Sequence, residues 1–442
     1  MTKVTAGSAP TERYQELTSA SRSLWERALG SLPGGNSRTT IFQDPYPIYA
    51  ASGEGCRVTD VDGVERIDFI NNYTSLALGH CHPRVVEAVR RQAGRLMSAA
   101  AANELEVEMA ERIRERLPSV ELVRFANSGT EATMLAIRAA RAFTGRTTIA
   151  VFAGAYHGTH DYAVSIPADA GDAPGGLGVP DAVADSLVVA PFNDVEATGA
   201  LLEPRLDDLA AVMVEPVMGA AGVIPAEDGF LAFLRELTER AGSLLVFDEV
   251  IAFRIGYHGA QGRYGVTPDL TTLGKIIGGG LPVGAFGGRA DVMALFDPRR
   301  EPHLPHGGTF NANPLSMAAG LATLAELTPE AYPRLETLAI ELKTKLERLF
   351  AGAGLPACVT QIGSLFNIHF TDRPVRCHAD ARAADTALLR ELHLAMLDHG
   401  ILFTPRGMGC LSMPMTASEI DAFVDAARLG IEDLGLAPRA DR

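Results

Sequence analysis

The middle of the chain alternates between two hydrophobic patterns. Short runs of successive apolar residues are separated by segments in which apolar residues recur every three or four positions. Strands that are apolar on both faces and alternate with helices predict a mostly parallel sheet covered on both sides. The predicted strands are Leu122–Ala126, Thr148–Phe152, Leu187–Ala190, Ala211–Val214 and Leu244–Phe247, and the predicted helices between them include Ala132–Phe143 and Gly229–Ala241.

Both ends of the chain carry further helical patterns. Apolar positions recur near helical spacing from Glu12 to Leu32, which predicts one amphipathic helix that ends before Pro33, and two short strand-like pieces follow. We therefore expect an α/β fold with a large domain at 61–325 and a small α+β domain built from 1–60 and 326–442. The other predicted elements are strands Arg57–Thr59 and Arg66–Phe69 and helices Pro314–Leu327, Glu336–Phe350, Ala384–His399 and Ser418–Leu434, the last with a capping box at Thr416 and Glu419.

Composition and charge narrow the function classes. The formal net charge of −15 argues against a nucleic acid or an anionic membrane as partner, because both need a basic surface. The five cysteines form no CxxC pair, which favours reduced thiols and no zinc site. We find no signal-peptide core and no apolar run long enough to span a membrane, so a cytoplasmic protein without a metal is expected.

The first chemical signal lies where a predicted strand meets a helix. Ser128 and Glu131 have the spacing of a capping box, and Gly129 between them allows a ligand to approach the backbone closely. The start of a helix offers unpaired N–H groups and a positive dipole end, which together bind phosphate. The same residues are also compatible with a capped helix that binds no ligand.

Two further signals suggest a cofactor with a cationic ring. Asp248 closes an apolar strand, and at that end of an open α/β sheet a carboxylate can hold a proton on a ring nitrogen or simply cap the next loop. Lys275 stands between apolar segments and precedes three glycines. Burial would lower its pKa and supply the neutral amine needed for a Schiff base, whereas a surface lysine beside a flexible loop is the alternative.

Six fragments in order carry a resemblance to a known family. NSGTEA, AYHG, VEP, FDEV, TLGK and GGTFNANP extend over nearly the whole chain. In this order, and with the expected gap between Asp248 and Lys275, they resemble the class III aminotransferases of fold type I, which depend on pyridoxal 5'-phosphate. The resemblance implies an enzyme with that cofactor, a small-molecule amino donor, a 2-oxo acid acceptor, and an obligate homodimer with shared active sites.

The resemblance also implies a role for each matching residue. Lys275 would bond the cofactor and act in catalysis together with Asp248, which would pair with the ring nitrogen. Ser128, Gly129 and Thr130 would bind the phosphate, Tyr156 would stack on the ring, and Val250 would pack beneath it. Glu215 would lie on the oxygen side of the ring, and Thr309 would reach the phosphate in the neighbouring subunit.

Two local segments bear on the substrate. The chain is similar both to glutamate-1-semialdehyde aminomutases and to β-phenylalanine aminotransferases, but Arg38 directly follows the Asn-Ser pair and Arg406 follows a proline, as in the second group. Arginine binds carboxylates through two charge-assisted hydrogen bonds. We expect Arg38 to bind a β-amino acid, Arg406 to bind 2-oxoglutarate or a similar acid, and Tyr73 to line the pocket. Glutamate-1-semialdehyde aminomutase is the alternative function.

Overall fold

A seven-stranded sheet forms the centre of the molecule, in a computed structural model that describes residues 10–162 and 176–436. All neighbouring strands are parallel except Gly284–Gly288, which is antiparallel to both of its neighbours. The mostly parallel sheet predicted from the sequence is therefore confirmed. The order across the sheet is Leu122–Ala126, Gly284–Gly288, Leu270–Gly274, Leu244–Asp248, Leu209–Val214, Thr148–Phe152 and Leu187–Ala190.

Helices cover this sheet on both faces, as the doubly apolar strands require. The helix Gly129–Thr144 packs Leu135 and Ala139 against one face, and the helix Phe230–Ala241 packs Leu234 and Leu237 against the other. Besides one left-handed turn at Asn71–Thr74, the described helices are Pro10–Leu17, Ser19–Ala28, Pro83–Ala93, Glu104–Arg116, Gly129–Thr144, Asp181–Ala184, Val195–Leu202, Phe230–Ala241, Glu249–Ala252, Gly259–Tyr264, Ala290–Met293, Pro314–Glu326, Ala331–Gly352, His378–Arg382, Thr386–Asp398 and Ala417–Asp433.

Smaller sheets join the two ends of the chain. The four-stranded sheet pairs a strand from the C-terminal part, Ile401–Leu402, in parallel with Glu65–Asp68. Phe69 packs edge-on against Phe366 and Phe423 in a core that both ends share. This sheet contains strands from both sides of residue 60. The domain boundaries at residues 60 and 325 remain a prediction. The other strands of this sheet are Ala50–Glu54 and Arg57–Asp60. A three-stranded sheet consists of Cys358–Ile362, Leu365–His369 and Met408–Cys410, and a two-stranded sheet consists of Val217–Met218 and Ile224–Pro225.

The structure corrects the single N-terminal helix expected between Glu12 and Leu32. Two helices, Pro10–Leu17 and Ser19–Ala28, occupy that range, and Thr18 between them leaves the helical region with a φ of −125°. The carboxylate of Asp62 accepts hydrogen bonds from the N–H groups of Ala20 and Ser21, so it caps the second helix from outside the segment. Apolar spacing alone cannot predict such a distant cap. Within the described residues, no helix has the length and apolar character needed to cross a membrane.

Candidate active site

The predicted site residues meet where the parallel strands end. Asp248 is the last residue of its strand, Lys275 directly follows the neighbouring strand, and the helix Gly129–Thr144 begins after the edge strand. They surround a cavity of about 710 Å³. Of the residues predicted from the sequence, its wall contains Arg38, Tyr73, Gly129, Thr130, Tyr156, Glu215, Asp248, Val250, Lys275 and Arg406.

Lys275 presents its amine to this cavity from a largely buried position. Loss of water around the amine lowers the pKa of Lys275 to about 8, although the negative charges of Glu215 and Asp248 act in the opposite direction. Its backbone has a φ of 50°, in the left-handed region that residues other than glycine seldom adopt. A lysine with a lowered pKa is neutral in a larger fraction of molecules at neutral pH, and a neutral amine can attack a carbonyl carbon.

The carboxylate of Asp248 is fixed by three neighbours. One oxygen, Oδ1, accepts hydrogen bonds from the Val250 N–H at 3.0 Å and from the Thr272 hydroxyl at 3.0 Å. The other, Oδ2, lies 2.7 Å from Nδ1 of His157. Because the carboxylate is buried and held by three groups, its orientation toward the cavity is set before any ligand binds.

His157 belongs to the site although its sequence pattern alone indicated no role for it. Burial acts to lower the pKa of the imidazole, but the hydrogen bond and charge of Asp248 outweigh burial, and the pKa is raised. Its second ring nitrogen, Nε2, is buried without a hydrogen-bond partner among the described residues. The signal in the sequence was its place beside Tyr156 in the AYHG fragment, but only the fold shows that it contacts Asp248.

The start of the helix Gly129–Thr144 forms another wall of the cavity. Ser128 caps this helix, since its hydroxyl accepts a hydrogen bond from the Glu131 N–H at 3.2 Å. A side chain at Gly129 would place its first carbon 3.1 Å from both methyl groups of Val250, so the two residues are in close contact. Gly129 and Thr130 line the cavity, whereas Ser128 acts as the cap behind them.

Glu215 and Tyr156 are linked at the side of the cavity. The Glu215 carboxylate accepts hydrogen bonds from the N–H groups of Tyr156 at 2.8 Å and Gly219 at 3.0 Å. Burial nevertheless raises the pKa of Glu215 to about 7. Half of the Tyr156 residue surface is exposed, so its ring is available to stack on a planar ligand.

Arg38, Tyr73 and Arg406 line the same cavity, and both arginines influence Tyr73 electrostatically. Burial has the largest effect on Tyr73 and raises the pKa of its hydroxyl, while the charges of Arg406 and Arg38 both act to lower it. Nη1 of Arg38 donates a hydrogen bond to Oδ1 of Asn72 at 2.8 Å. No ion pair joins either arginine to a carboxylate in the described parts of the chain. Two unneutralised cations thus face a cavity that also contains Lys275.

Thr309 lies apart from these residues. It sits in the exposed segment 307–310 and is not among the residues that line the cavity. Within a single chain the structure therefore does not bring Thr309 to Lys275. Its contact with a cofactor phosphate in a neighbouring subunit remains a prediction.

Comparison with known proteins identifies the family. The sequence pattern of the family described as "Aminotransferase class-III" matches residues 42–426. The chain belongs to the class-III aminotransferases.

Relatives and solved structures of this class-III aminotransferase cover nearly its whole length. A glutamate-1-semialdehyde 2,1-aminomutase from Sorangium cellulosum is 45% identical over 90% of this chain and 92% of the relative. A β-phenylalanine transaminase from Variovorax paradoxus is 42% identical over 97% of this chain and 96% of that relative. The crystal structure of an ω-transaminase from Sphaerobacter thermophilus superposes with a TM-score of 0.90, and the two sequences are 48% identical. The match covers 95% of this chain and 99% of that one. The fold is therefore that of the pyridoxal-phosphate-dependent transaminases.

The cavity of this class-III aminotransferase fits pyridoxal phosphate, the cofactor of the family. Lys275 has an amine with a lowered pKa that would bond the cofactor, and Asp248 has a fixed carboxylate that would pair with a cationic ring nitrogen. The beginning of the 16-residue helix at Gly129 has unpaired N–H groups and a positive dipole end that would bind the phosphate. Val250 lies between these groups, against Gly129, where it can contact one face of a flat ring.

Proposed function

We propose that this transaminase moves the amino group of a β-amino acid, such as β-phenylalanine, to a 2-oxo acid such as 2-oxoglutarate. The observation that carries the proposal is the pair of unneutralised arginines, Arg38 and Arg406, in the cavity that contains Lys275. A transaminase must accept two different acids in turn at one site. Arginine is suited to both because its planar guanidinium binds a carboxylate through two hydrogen bonds.

Each arginine is assigned one acid. Arg38 would bind the carboxylate of the β-amino acid, and Arg406 would bind the 2-oxo acid. Tyr73, which is within electrostatic reach of both, would contact either substrate. Because both arginines are exposed, water screens their charges, and affinity for a carboxylate depends on the two hydrogen bonds more than on charge alone.

The remaining residues of the cavity would bind the cofactor and move protons. Bound pyridoxal phosphate supplies the carbonyl carbon that receives the amino group and a ring that withdraws electrons. Lys275 would hold the cofactor, and its released amine would take the proton from the substrate carbon that bears nitrogen. Asp248 would keep a proton on the ring nitrogen, Tyr156 would stack on the ring, and Glu215 would lie on its oxygen side. Ser128, Gly129 and Thr130 would bind the phosphate, together with Thr309 of the second subunit.

The assembly proposed is a homodimer with shared active sites. The exposed position of Thr309, together with the neighbouring Phe310, which keeps 59% of its surface in the single chain, supports a contact with a second copy. In that assembly the segment 307–310 of one subunit would complete the phosphate site of the other.

A second candidate is intramolecular transfer by a glutamate-1-semialdehyde aminomutase. The observation in its favour is that several relatives at 41–45% identity carry that name. The two functions differ in a simple way, since an aminomutase needs no separate oxo-acid acceptor.

An absorbance titration of the purified holoenzyme separates these candidates. Adding β-phenylalanine alone should bleach the band of the lysine-bound cofactor, and adding 2-oxoglutarate should restore it. A band that β-phenylalanine leaves unchanged contradicts the proposal, and glutamate-1-semialdehyde then becomes the next substrate to titrate. As a control, Lys275→Ala should retain the cofactor without a covalent bond and lose steady-state turnover.

A further inference from the structure

The loop that follows Asp68 has an unusual backbone. Four successive residues, none of them glycine, adopt left-handed conformations, with φ of 48° at Asn71, 48° at Asn72, 52° at Tyr73 and 75° at Thr74. Side chains other than asparagine and aspartate are poorly tolerated in this region. A run of four such residues persists only where its surroundings fix it, and backbone of this kind is concentrated at functional sites. We call residues 71–74 the left-handed turn.

Buried groups fix the left-handed turn at both ends. Oδ1 of Asp68 accepts hydrogen bonds from the Ile70 N–H at 2.7 Å and the Asn71 N–H at 2.9 Å. The side chain of Asn71 donates to the Cys410 carbonyl at 2.9 Å, and Nη1 of Arg254 donates to the Thr74 carbonyl at 2.7 Å. The turn is therefore held in place by hydrogen bonds to residues that do not line the cavity.

The left-handed turn presents its two middle side chains to the cavity. Asn72 accepts the hydrogen bond from the Arg38 guanidinium at 2.8 Å, and the Tyr73 hydroxyl donates to the Thr40 carbonyl. The backbone N–H of Arg38 in turn donates to Oδ1 of Asn36 at 2.8 Å. The segment 38–40 is exposed, so these bonds give it an orientation that burial does not provide.

We propose that Asn72 is a positioning residue that directs the Arg38 guanidinium toward the substrate carboxylate and so sets the preference for donors that carry an acid. This role rests on the proposed function, in which Arg38 binds the β-amino acid. An amide oxygen suits the task because it orients one N–H without cancelling the positive charge, and the other N–H groups stay available to the carboxylate. A carboxylate in the same place would neutralise Arg38.

The test compares two ligands of the same shape on the holoenzyme. Dissociation constants for 3-phenylpropanoate and for its neutral amide, 3-phenylpropanamide, are measured by isothermal titration calorimetry. The wild type should prefer the acid. Asn72→Asp should reduce that preference by about tenfold or more, because the new carboxylate pairs with Arg38 while aspartate still tolerates the left-handed backbone. Asn72→Gly keeps the turn and removes the amide, and should reduce the preference by about threefold.

The outcomes distinguish this proposal from the proposed function. Binding of the amide should stay unchanged in both variants, whereas equal weakening of both ligands, or an unchanged preference in Asn72→Asp, would overturn the role of Asn72. The variant Arg38→Gln serves as the reference. If Arg38→Gln loses the preference for the acid while the Asn72 variants keep it, the positioning role of Asn72 is wrong but carboxylate binding by Arg38 stands. If the wild type binds the acid and the amide equally well, the proposed binding of a substrate carboxylate by Arg38 is wrong as well.

Discussion

At the scale of single residues, Lys275 is the clearest link between structure and chemistry. Burial lowers the pKa of its amine to about 8, so protonated and neutral forms exchange within the pH range in which enzymes are assayed. Only the neutral form can attack the carbonyl of the cofactor. We expect the rate of cofactor uptake by the apoenzyme, followed by absorbance, to rise with pH and to level off above about pH 8. A rate that is flat between pH 6 and pH 9 would contradict this assignment.

Glu215 offers a second test at the same scale. Of the charges that oppose burial at Lys275, that of Glu215 has the largest effect, and it raises the lysine pKa. Replacing Glu215 by Gln removes this charge, so the pKa of Lys275 should fall and the midpoint of the uptake curve should move to lower pH. The exposed Glu227 provides a control, since Glu227→Gln should leave the midpoint in place. A shift to higher pH in Glu215→Gln would refute the coupling.

At the scale of elements, the helix Pro314–Glu326 supports the segment that carries Lys275. Gly320 in this helix faces the turn Lys275–Gly278 so closely that an added side-chain carbon would lie 1.9 Å from the Ile277 carbonyl oxygen. We expect Gly320→Ala to lower the free energy of unfolding by about 1–3 kcal/mol, because overpacking outweighs the better helix propensity of alanine. It should also weaken cofactor binding, measured by dialysis against a range of cofactor concentrations.

Gly352→Ala is the matched control for that substitution. Gly352 ends the helix Ala331–Gly352, and a side chain there meets no atom within 4 Å. The thermal unfolding midpoint of Gly352→Ala should be unchanged or slightly higher, and its affinity for the cofactor should equal that of the wild type. If both alanine variants behave alike, close packing of Gly320 is not what holds the Lys275 segment in place.

At the scale of the whole molecule, a mixed-dimer experiment tests the shared active site. Lys275→Ala and Thr309→Asp should each abolish or strongly reduce activity, the second by placing a negative charge beside a phosphate. In a dimer with one subunit of each kind, one site would contain both native residues, because Thr309 would come from the partner of the subunit that supplies Lys275. Co-expression with two affinity tags should therefore restore activity.

The control pairs Lys275→Ala with Asp248→Asn. Both residues belong to the same cavity of one chain, so every site of a mixed dimer keeps one defect and activity should stay absent. Recovery in this control, or no recovery with the Thr309 variant, would show that Thr309 does not complete the site of a second subunit.

Several elements could be predicted from sequence because local rules determine them. The apolar strands at Thr148–Phe152 and Leu244–Asp248 and the helix Gly129–Thr144 follow from periodicity and capping. The strand Gly284–Gly288 could not be predicted, because its GAFGG sequence lacks the pattern. Its glycines are needed where backbones meet, since a side chain at Gly284 would lie 2.0 Å from the Ser128 carbonyl oxygen.

The sequence by itself determined the family, the cofactor and the candidate residues Asp248 and Lys275, because motif order and spacing along the chain carry that information. Tertiary structure alone decided which groups contact them. His157 meets Asp248 across 91 positions, and Arg254 reaches Thr74 across 180. The left-handed turn that brings Asn72 to Arg38 depends on such distant hydrogen bonds, since Tyr73 and Thr74 disfavour that backbone. Contacts of this kind arise only when the chain is folded.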